Sequence, residues 1–155
     1  MKKLSKPSKI ILTYCILLLA GIFHSCQENT VEIFSTEEAK NALSIAEKHY
    51  MNMAEGLNDT LLPKTTGAER QLETSNIYWW TSGFYPGTLW YLYEYTGNDT
   101  LKQEAVEKTE MLEPLKNYPY THDLGFMVFC SYGNAYRITK IPAYKDIIIE
   151  TSEAL

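Results

Sequence analysis

The stretch WTSGFYPGTLWYLYEYTG, from Trp80 to Gly97, decides the fold of this chain. Small and polar residues open it, and an almost wholly apolar run follows. Apolar side chains lie on nearly all sides of a helix that starts near Gly83 or Phe84, which predicts a helix buried on all sides. Gly97 supplies its C-terminal stop.

A second stretch, HDLGF from His122 to Phe126, has the same design. It leads into the apolar run LGFMVFCSYGNAY, which predicts a second buried helix; a β-strand is the alternative, because β-branched and aromatic residues favour strands. In an up-and-down array, helices two apart run in the same direction. We therefore expect Trp80 and Asp123 to converge at one end of the domain, as two walls of one cleft.

An amphipathic helix is predicted before these stretches. Ser35 to Glu38 forms a capping box, apolar residues follow at helical spacing, and the helix runs to about Glu55, where Gly56 ends it. The residues from Leu57 to Asn76 are polar and contain proline and glycine, so they are predicted to form a long loop.

Two further amphipathic helices are predicted. Asn98 or Asp99 caps the first of them, and Pro142, at an N1-like position, opens the last, which continues to Leu155. In the helix after Asn98, four apolar side chains are predicted to face inward: Leu101, Ala105, Leu112 and Leu115. Four charged side chains are predicted to face away from the core: Lys102, Glu104, Glu107 and Lys108.

Apolar helices thus alternate with amphipathic ones. This pattern predicts an all-α domain over residues 35–155, with a buried inner layer of helices and a solvent-exposed outer layer of helices, as in α/α toroids. A tetratricopeptide array also alternates helices, but no fixed repeat of about 34 residues is present.

The first residues form a leader. Lys2, Lys3, Lys6 and Lys9 precede an apolar run that is too short for a comfortable membrane span, which predicts an export signal over residues 1–25. It ends in FHSC, which resembles the lipobox of bacterial lipoproteins, so Cys26 is the predicted lipidation site and residues 26–34 the tether. Plain secretion and an inner-membrane anchor are the alternatives. We expect a periplasmic or outer-membrane-anchored lipoprotein.

The amino-acid composition limits the classes of ligand that are expected for this protein. The net charge of −5 argues against nucleic acid, which requires basic patches. The chain has 12 Tyr and 3 Trp, which suit stacking against flat, hydroxylated ligands, although core filling is the simpler explanation. Cleavage removes Cys15 and lipidation occupies Cys26, so Cys130 would be the one free thiol, expected as a buried small hydrophobe rather than a nucleophile.

The motifs WTSGFYPGTLWYLYEYTGN and HDLGFMVFCSYGNAYRIT resemble the N-terminal part of the unsaturated glucuronyl hydrolases, glycoside hydrolase family 88. The resemblance covers about residues 37–155 and implies part of an (α/α)6 toroid. It also implies removal of a 4,5-unsaturated uronic acid from the non-reducing end of lyase-generated oligosaccharides of the glycosaminoglycan type. In that reaction a proton goes to C4, water attacks C5 and the hemiketal collapses. Neither a metal nor an organic cofactor is implied.

The resemblance assigns roles to residues of the two motifs. Asp123 corresponds to one of two catalytic carboxylates and Trp80 to a wall of the sugar site, with His122 and Tyr85 as further substrate-binding candidates. Tyr120 is another candidate. From the residues alone, the alternatives are that Asp123 is a helix N-cap, that Trp80 is a core anchor, and that His122 is a local hydrogen-bonding partner or simply an exposed residue.

The second carboxylate is expected in a later helix, and about five of the toroid's twelve helices are predicted here. The sequence is therefore expected to be a truncated piece, about a third of an enzyme, inactive by itself and with inner helix faces exposed. Two alternative functions remain: an unsaturated rhamnogalacturonyl hydrolase acting on pectin fragments, and a non-catalytic glycan-binding lipoprotein.

Overall fold

A computed structural model of the chain describes residues 35–155. The predicted export signal (1–25), the lipidation site Cys26 and the tether (26–34) lie outside the described residues. The described part is mostly helical, which confirms the all-α prediction. Its helices are α1 (Thr36–Gly56), α2 (Phe84–Thr96), α3 (Asp99–Glu110), a 3₁₀ helix (Glu113–Asn117), a π-helix (Gly125–Gly133), α4 (Asn134–Thr139) and α5 (Pro142–Ala154).

The predicted long loop after α1 is wrong in part, because it contains a β-hairpin. Strand β1 (Leu62–Thr66) pairs antiparallel with β2 (Leu72–Ser75), and the register shifts between Pro63 and Thr65. Proline lacks an N–H for the ladder and is tolerated in a strand at edges and bulges. Leu62 is fully buried and attaches the hairpin to the core. One buried residue in so short a strand is too weak a periodic signal to predict it.

Helix α2 begins at Phe84 as predicted, and Gly97 ends it in the left-handed conformation (φ 69°) with its N–H donating to the carbonyl of Tyr93. Burial on all sides is wrong, however. Leu89, Trp90 and Leu92 are buried, whereas a stripe one helical face wide stays exposed. The exposed apolar members of that stripe are Phe84, Tyr91 and Tyr95.

Two glycines allow α2 to pack directly against the π-helix. A Cβ built on Gly83 would collide with the main-chain carbonyl oxygens of Phe126 and Met127, and one built on Gly87 would lie 2.6 Å from the carbonyl oxygen of Cys130. The backbones of the two helices therefore touch where any larger residue would separate them.

The apolar run from Leu124 to Tyr136 is helical, as predicted, and the strand alternative is wrong. It is buried only in part, because Phe126 and Phe129 are exposed. Its first part is a π-helix rather than an α-helix, and it continues without a break into α4. Within it, the buried hydroxyl of Ser131 donates to the carbonyl oxygens of Met127 (2.8 Å) and Val128 (3.0 Å). Such wide helical turns are rare and frequently occur at functional sites.

Most of the α3 predictions are confirmed. Asn98 caps the helix by accepting the N–H of Thr100 at 3.0 Å. The helix ends at Glu110, earlier than predicted, and the 3₁₀ helix follows it. All four residues predicted to face inward are nevertheless buried: Leu101, Ala105, Leu112 and Leu115.

Lys108 is the exception in α3, since it is only 4 % exposed. Its Nζ donates to the carbonyl oxygens of Asn58 (3.2 Å) and Asp59 (3.1 Å), in the turn after α1. The aliphatic stem of a lysine can pack on apolar surface while its ammonium reaches hydrogen-bond acceptors. The prediction that Lys108 does not face inward, which used its charge alone, is therefore wrong.

We expect Lys108→Met to lower the free energy of unfolding by about 2 kcal/mol, because the stem remains but two carbonyls lose a charged donor. Urea denaturation measures this loss. The control is Lys145→Met, an exposed lysine of α5, for which a change within about 0.5 kcal/mol is expected. Equal losses in the two variants would show that the Lys108 bonds contribute nothing.

Helices α1 and α5 match their predicted limits. Helix α1 ends at Gly56 and has no fully buried residue, as expected of an outer helix. Pro142 stands in the first turn of α5, which buries Tyr144 and Ile147. None of the helices in residues 35–155 is both long and apolar enough to span a membrane.

Candidate functional site

The loops before α2 and before the π-helix meet through an aromatic cluster formed by Trp80, Phe84 and Phe126. Ring centroids are 5.7 Å apart for Trp80 and Phe84, 6.3 Å for Trp80 and Phe126, and 5.9 Å for Phe84 and Phe126, all edge to face. The Trp80 indole is 44 % exposed. The structure therefore brings together the two sequence stretches, and an indole at their junction faces solvent.

Asp123 lies on the second of these loops, three residues before Phe126. The Thr121 hydroxyl lies 3.3 Å from Asp123 Oδ2, to which it donates, and accepts the Asp123 N–H at 3.1 Å. His122 Nε2 lies 3.6 Å from Oδ1. The Asp123 side chain is 22 % exposed. Its carboxylate is thus oriented by a neighbour but remains accessible to a ligand.

The helix-capping alternative for Asp123 does not fit this geometry. The main-chain carbonyl of Asp123 accepts the N–H groups of Phe126 (2.9 Å) and Met127 (3.1 Å) and so begins the helix. Within the described residues, no main-chain N–H donates to its carboxylate, which turns back toward Thr121. An N-cap side chain would instead accept from the first helical turn.

Trp79 and Trp80 face different neighbours, as expected for adjacent residues. Lys64 Nζ, on β1, lies 4.7 Å from the centre of the Trp79 ring, a cation–π contact. Both indoles remain partly exposed. The hairpin therefore borders the aromatic surface that Trp79 and Trp80 begin.

The other two substrate-binding candidates are placed differently. His122 is 94 % exposed and contacts Asp123, beside the cluster. Tyr85 is only 4 % exposed: its ring stacks on Tyr50 of α1 and its hydroxyl donates to Glu104 of α3 at 3.3 Å. Burial raises the pKa of this hydroxyl. The structure thus places Tyr85 in the core between helices and corrects its assignment to the substrate site.

Sequence reasoning missed several residues of this region. The sequence pattern predicts Phe84 and Phe126 only as helix residues, although both rings contact Trp80. Thr121 was not considered, although a hydroxyl two residues before an aspartate is a known signal for a local turn. Tyr78 packs on Tyr118, with centroids 4.9 Å apart.

Cys130 is half-buried, and burial raises the pKa of its thiol, which disfavours the nucleophilic thiolate. Among residues 35–155 there is no group of three or more His, Cys, Asp and Glu side chains that could hold a metal ion.

A cavity of about 510 Å³ lies between α2 and α4, and none of the three residues of the aromatic cluster lines it. Tyr91, Phe129 and Arg137 contribute to its lining. The Arg137 guanidinium is already paired with both carboxylate oxygens of Glu94, at 2.6 and 2.8 Å. Because Glu94 neutralises the guanidinium of Arg137, we assign no catalytic role to this cavity.

Comparison with known proteins identifies relatives of the chain. No family model matches it. It is 44 % identical over 77 residues to an unsaturated glucuronyl hydrolase of Formosa agariphila, covering 49 % of this chain and 19 % of that protein. It is 28 % identical over 130 residues to an unsaturated chondroitin disaccharide hydrolase of Streptococcus pyogenes serotype M1, covering 80 % and 32 %.

Comparison with solved structures also finds unsaturated glucuronyl hydrolases. A heparin-specific unsaturated glucuronyl hydrolase superimposes with a TM-score of 0.71 at 34 % identity, over 75 % of this chain and 31 % of that chain. The enzyme of Streptococcus agalactiae gives 0.70 at 24 % identity, over 77 % and 32 %. The chain therefore spans about a fifth to a third of the length of these relatives.

Proposed function

We propose, from the premise that this chain is homologous over part of its length to the unsaturated glucuronyl hydrolases, that the protein removes an unsaturated uronic acid from lyase-generated oligosaccharides. The observation that supports this most is the meeting of Trp80 with the loop of Asp123. It brings an exposed indole into contact with Phe126, whose main-chain N–H donates to the carbonyl of Asp123, the residue that carries the oriented carboxylate.

In this proposal Asp123 takes part in proton transfer during hydration of the C4=C5 double bond. A proton goes to C4, a water molecule deprotonated in the same step forms a bond to C5, and the resulting hemiketal opens to release the remaining sugar. The Thr121 hydroxyl fixes one carboxylate oxygen. Trp80 packs against the sugar face, as an exposed indole suits an amphipathic ring.

The proposed substrates are glycosaminoglycan fragments. The names of two relatives support this class, since one acts on chondroitin disaccharides and another is specific for heparin. Fragments of pectin bearing an unsaturated galacturonic acid are the alternative substrate. A non-catalytic glycan-binding lipoprotein would use the same indole without needing the Asp123 carboxylate.

The test is consumption of the double bond, followed as loss of its ultraviolet absorbance, by the protein expressed from its complete coding sequence. Unsaturated products of chondroitin, heparin and rhamnogalacturonan lyases are supplied separately. Consumption of the first or second supports the proposal, and consumption of the third alone selects the pectin enzyme. Binding without consumption would overturn the hydrolase proposal. We also propose that residues 27–155 alone are inactive, because the family resemblance implies that a second carboxylate, in a later helix, completes the catalytic pair.

We also propose that the protein is exported and anchored through lipidated Cys26. Cys26→Ala is expected to abolish incorporation of labelled fatty acid and to release the protein from the membrane fraction, because the acylated thiol is the anchor. Labelling and fractionation measure both effects, and Cys15→Ala, inside the predicted signal, is the control. Continued labelling of the Cys26→Ala protein would contradict the lipobox interpretation.

A further inference from the structure

A row of three tyrosines lies in the same two loops as Trp80 and Asp123. Tyr78 packs on Tyr118 with ring centroids 4.9 Å apart, and Tyr118 packs on Tyr120 at 5.2 Å. We name Tyr78, Tyr118 and Tyr120 the tyrosine row. Like the aromatic cluster, the tyrosine row joins the loop before α2 to the loop before the π-helix.

Two of the three rings of the tyrosine row are exposed in the part of the chain that the structure describes. Tyr120 is 81 % exposed, and Tyr78 is also exposed. Within the described residues, none of the three hydroxyls has a hydrogen-bonding partner. Tyr118 is half-buried and holds the other two rings. On the surface of the described residues, Tyr120 therefore presents both a ring and a hydroxyl.

The tyrosine row is close to the proposed reaction site. Tyr120 precedes Asp123 by three residues, so their Cα atoms are at most about 11 Å apart. Tyr78 precedes Trp80 by two residues, and Trp80 contacts Phe126. A sugar chain with one unit against Trp80 and Asp123 would therefore have neighbouring units within reach of these rings.

From these observations we propose that the tyrosine row is a subsite for the sugars on the reducing side of the scissile bond in substrates longer than a disaccharide. This inference rests on the proposed function. A tyrosine ring packs against the C–H face of a sugar while its hydroxyl bonds to the sugar's hydroxyl or anionic groups. The tyrosine row would thus set the preference for chain length, while Asp123 and Trp80 act on the terminal residue.

The test compares an unsaturated disaccharide with an unsaturated tetrasaccharide from the same lyase, using the protein expressed from its complete coding sequence. Tyr120→Ala is expected to lower kcat/KM for the tetrasaccharide about tenfold relative to that for the disaccharide, mainly through KM, since binding contacts remote from the reaction act on both ground and transition states. Tyr120→Phe keeps the ring and is expected to keep most of the ratio.

Tyr95→Ala is the matched control, because Tyr95 is an exposed tyrosine near the far end of α2. An unchanged ratio in Tyr120→Ala, or an equal drop in Tyr95→Ala, would overturn the subsite and leave the hydrolase proposal intact. If the unaltered protein consumes neither substrate, the proposed function is lost and the subsite with it.

Discussion

In the protein expressed from its complete coding sequence, Asp123→Asn is expected to lower the proposed turnover of an unsaturated disaccharide by about a hundredfold to ten-thousandfold, the usual cost of removing a positioned acid or base. The free energy of unfolding should change by about 1 kcal/mol or less. Asn has the same shape, and its side-chain oxygen still accepts the Thr121 hydroxyl that lies 3.3 Å from the carboxylate. Absorbance assays and a melting curve on one preparation measure both quantities.

The control for this prediction is Asp146→Asn. Asp146 is an exposed aspartate of α5, remote in sequence from the two loops of the site. Turnover should be unchanged in this variant. A folded Asp123→Asn enzyme with near-parental turnover would return Asp123 to a purely structural role in the turn with Thr121.

Gly83→Ala is expected to lower the free energy of unfolding by about 3 kcal/mol. The Gly83 φ of −80° is open to any residue, so the effect is steric. The new methyl group would meet the carbonyl oxygens of Phe126 and Met127, and two packed helices must separate to admit it. Since Phe126 also contacts Trp80, activity should fall together with stability. Denaturant titration measures the loss.

Gly56→Ala provides the matched control. Gly56 is the last residue of α1, and no atom lies within 4 Å of a Cβ built on it. Alanine there should be neutral or stabilising by up to about 1 kcal/mol, because it reduces the freedom of the unfolded chain. A loss as large as that of Gly83→Ala would mean that close helix packing is not the cause.

The amino-acid sequence by itself predicted the helices and several of their limits. Asn98 caps α3, Gly97 ends α2 and Pro142 opens α5, each through a local property of one residue. Helical spacing also predicted the buried face of α3. These features depend on contacts within a few residues, so no knowledge of the rest of the chain was needed.

The sequence was less informative about the site. It predicted that Trp80 and the HDLGF stretch lie at the same end, because helix direction follows from connectivity. It misplaced Tyr85, whose partners Tyr50 and Glu104 are distant in the chain. It also missed Phe84 and Phe126, since an aromatic residue at a helix start has the same local pattern whether it enters the core or supports a neighbouring indole.

Tertiary structure alone decided how the elements touch. The hairpin depends on pairing between β1 and β2, Lys108 is buried because two carbonyls of a distant turn accept its ammonium, and Gly83 matters because another helix passes over it. The sequence determined which residues form helices, since capping and apolar spacing act over a turn or two. Which side chains are buried, paired or exposed at the candidate site depended on contacts between segments, and those form only when the whole chain packs.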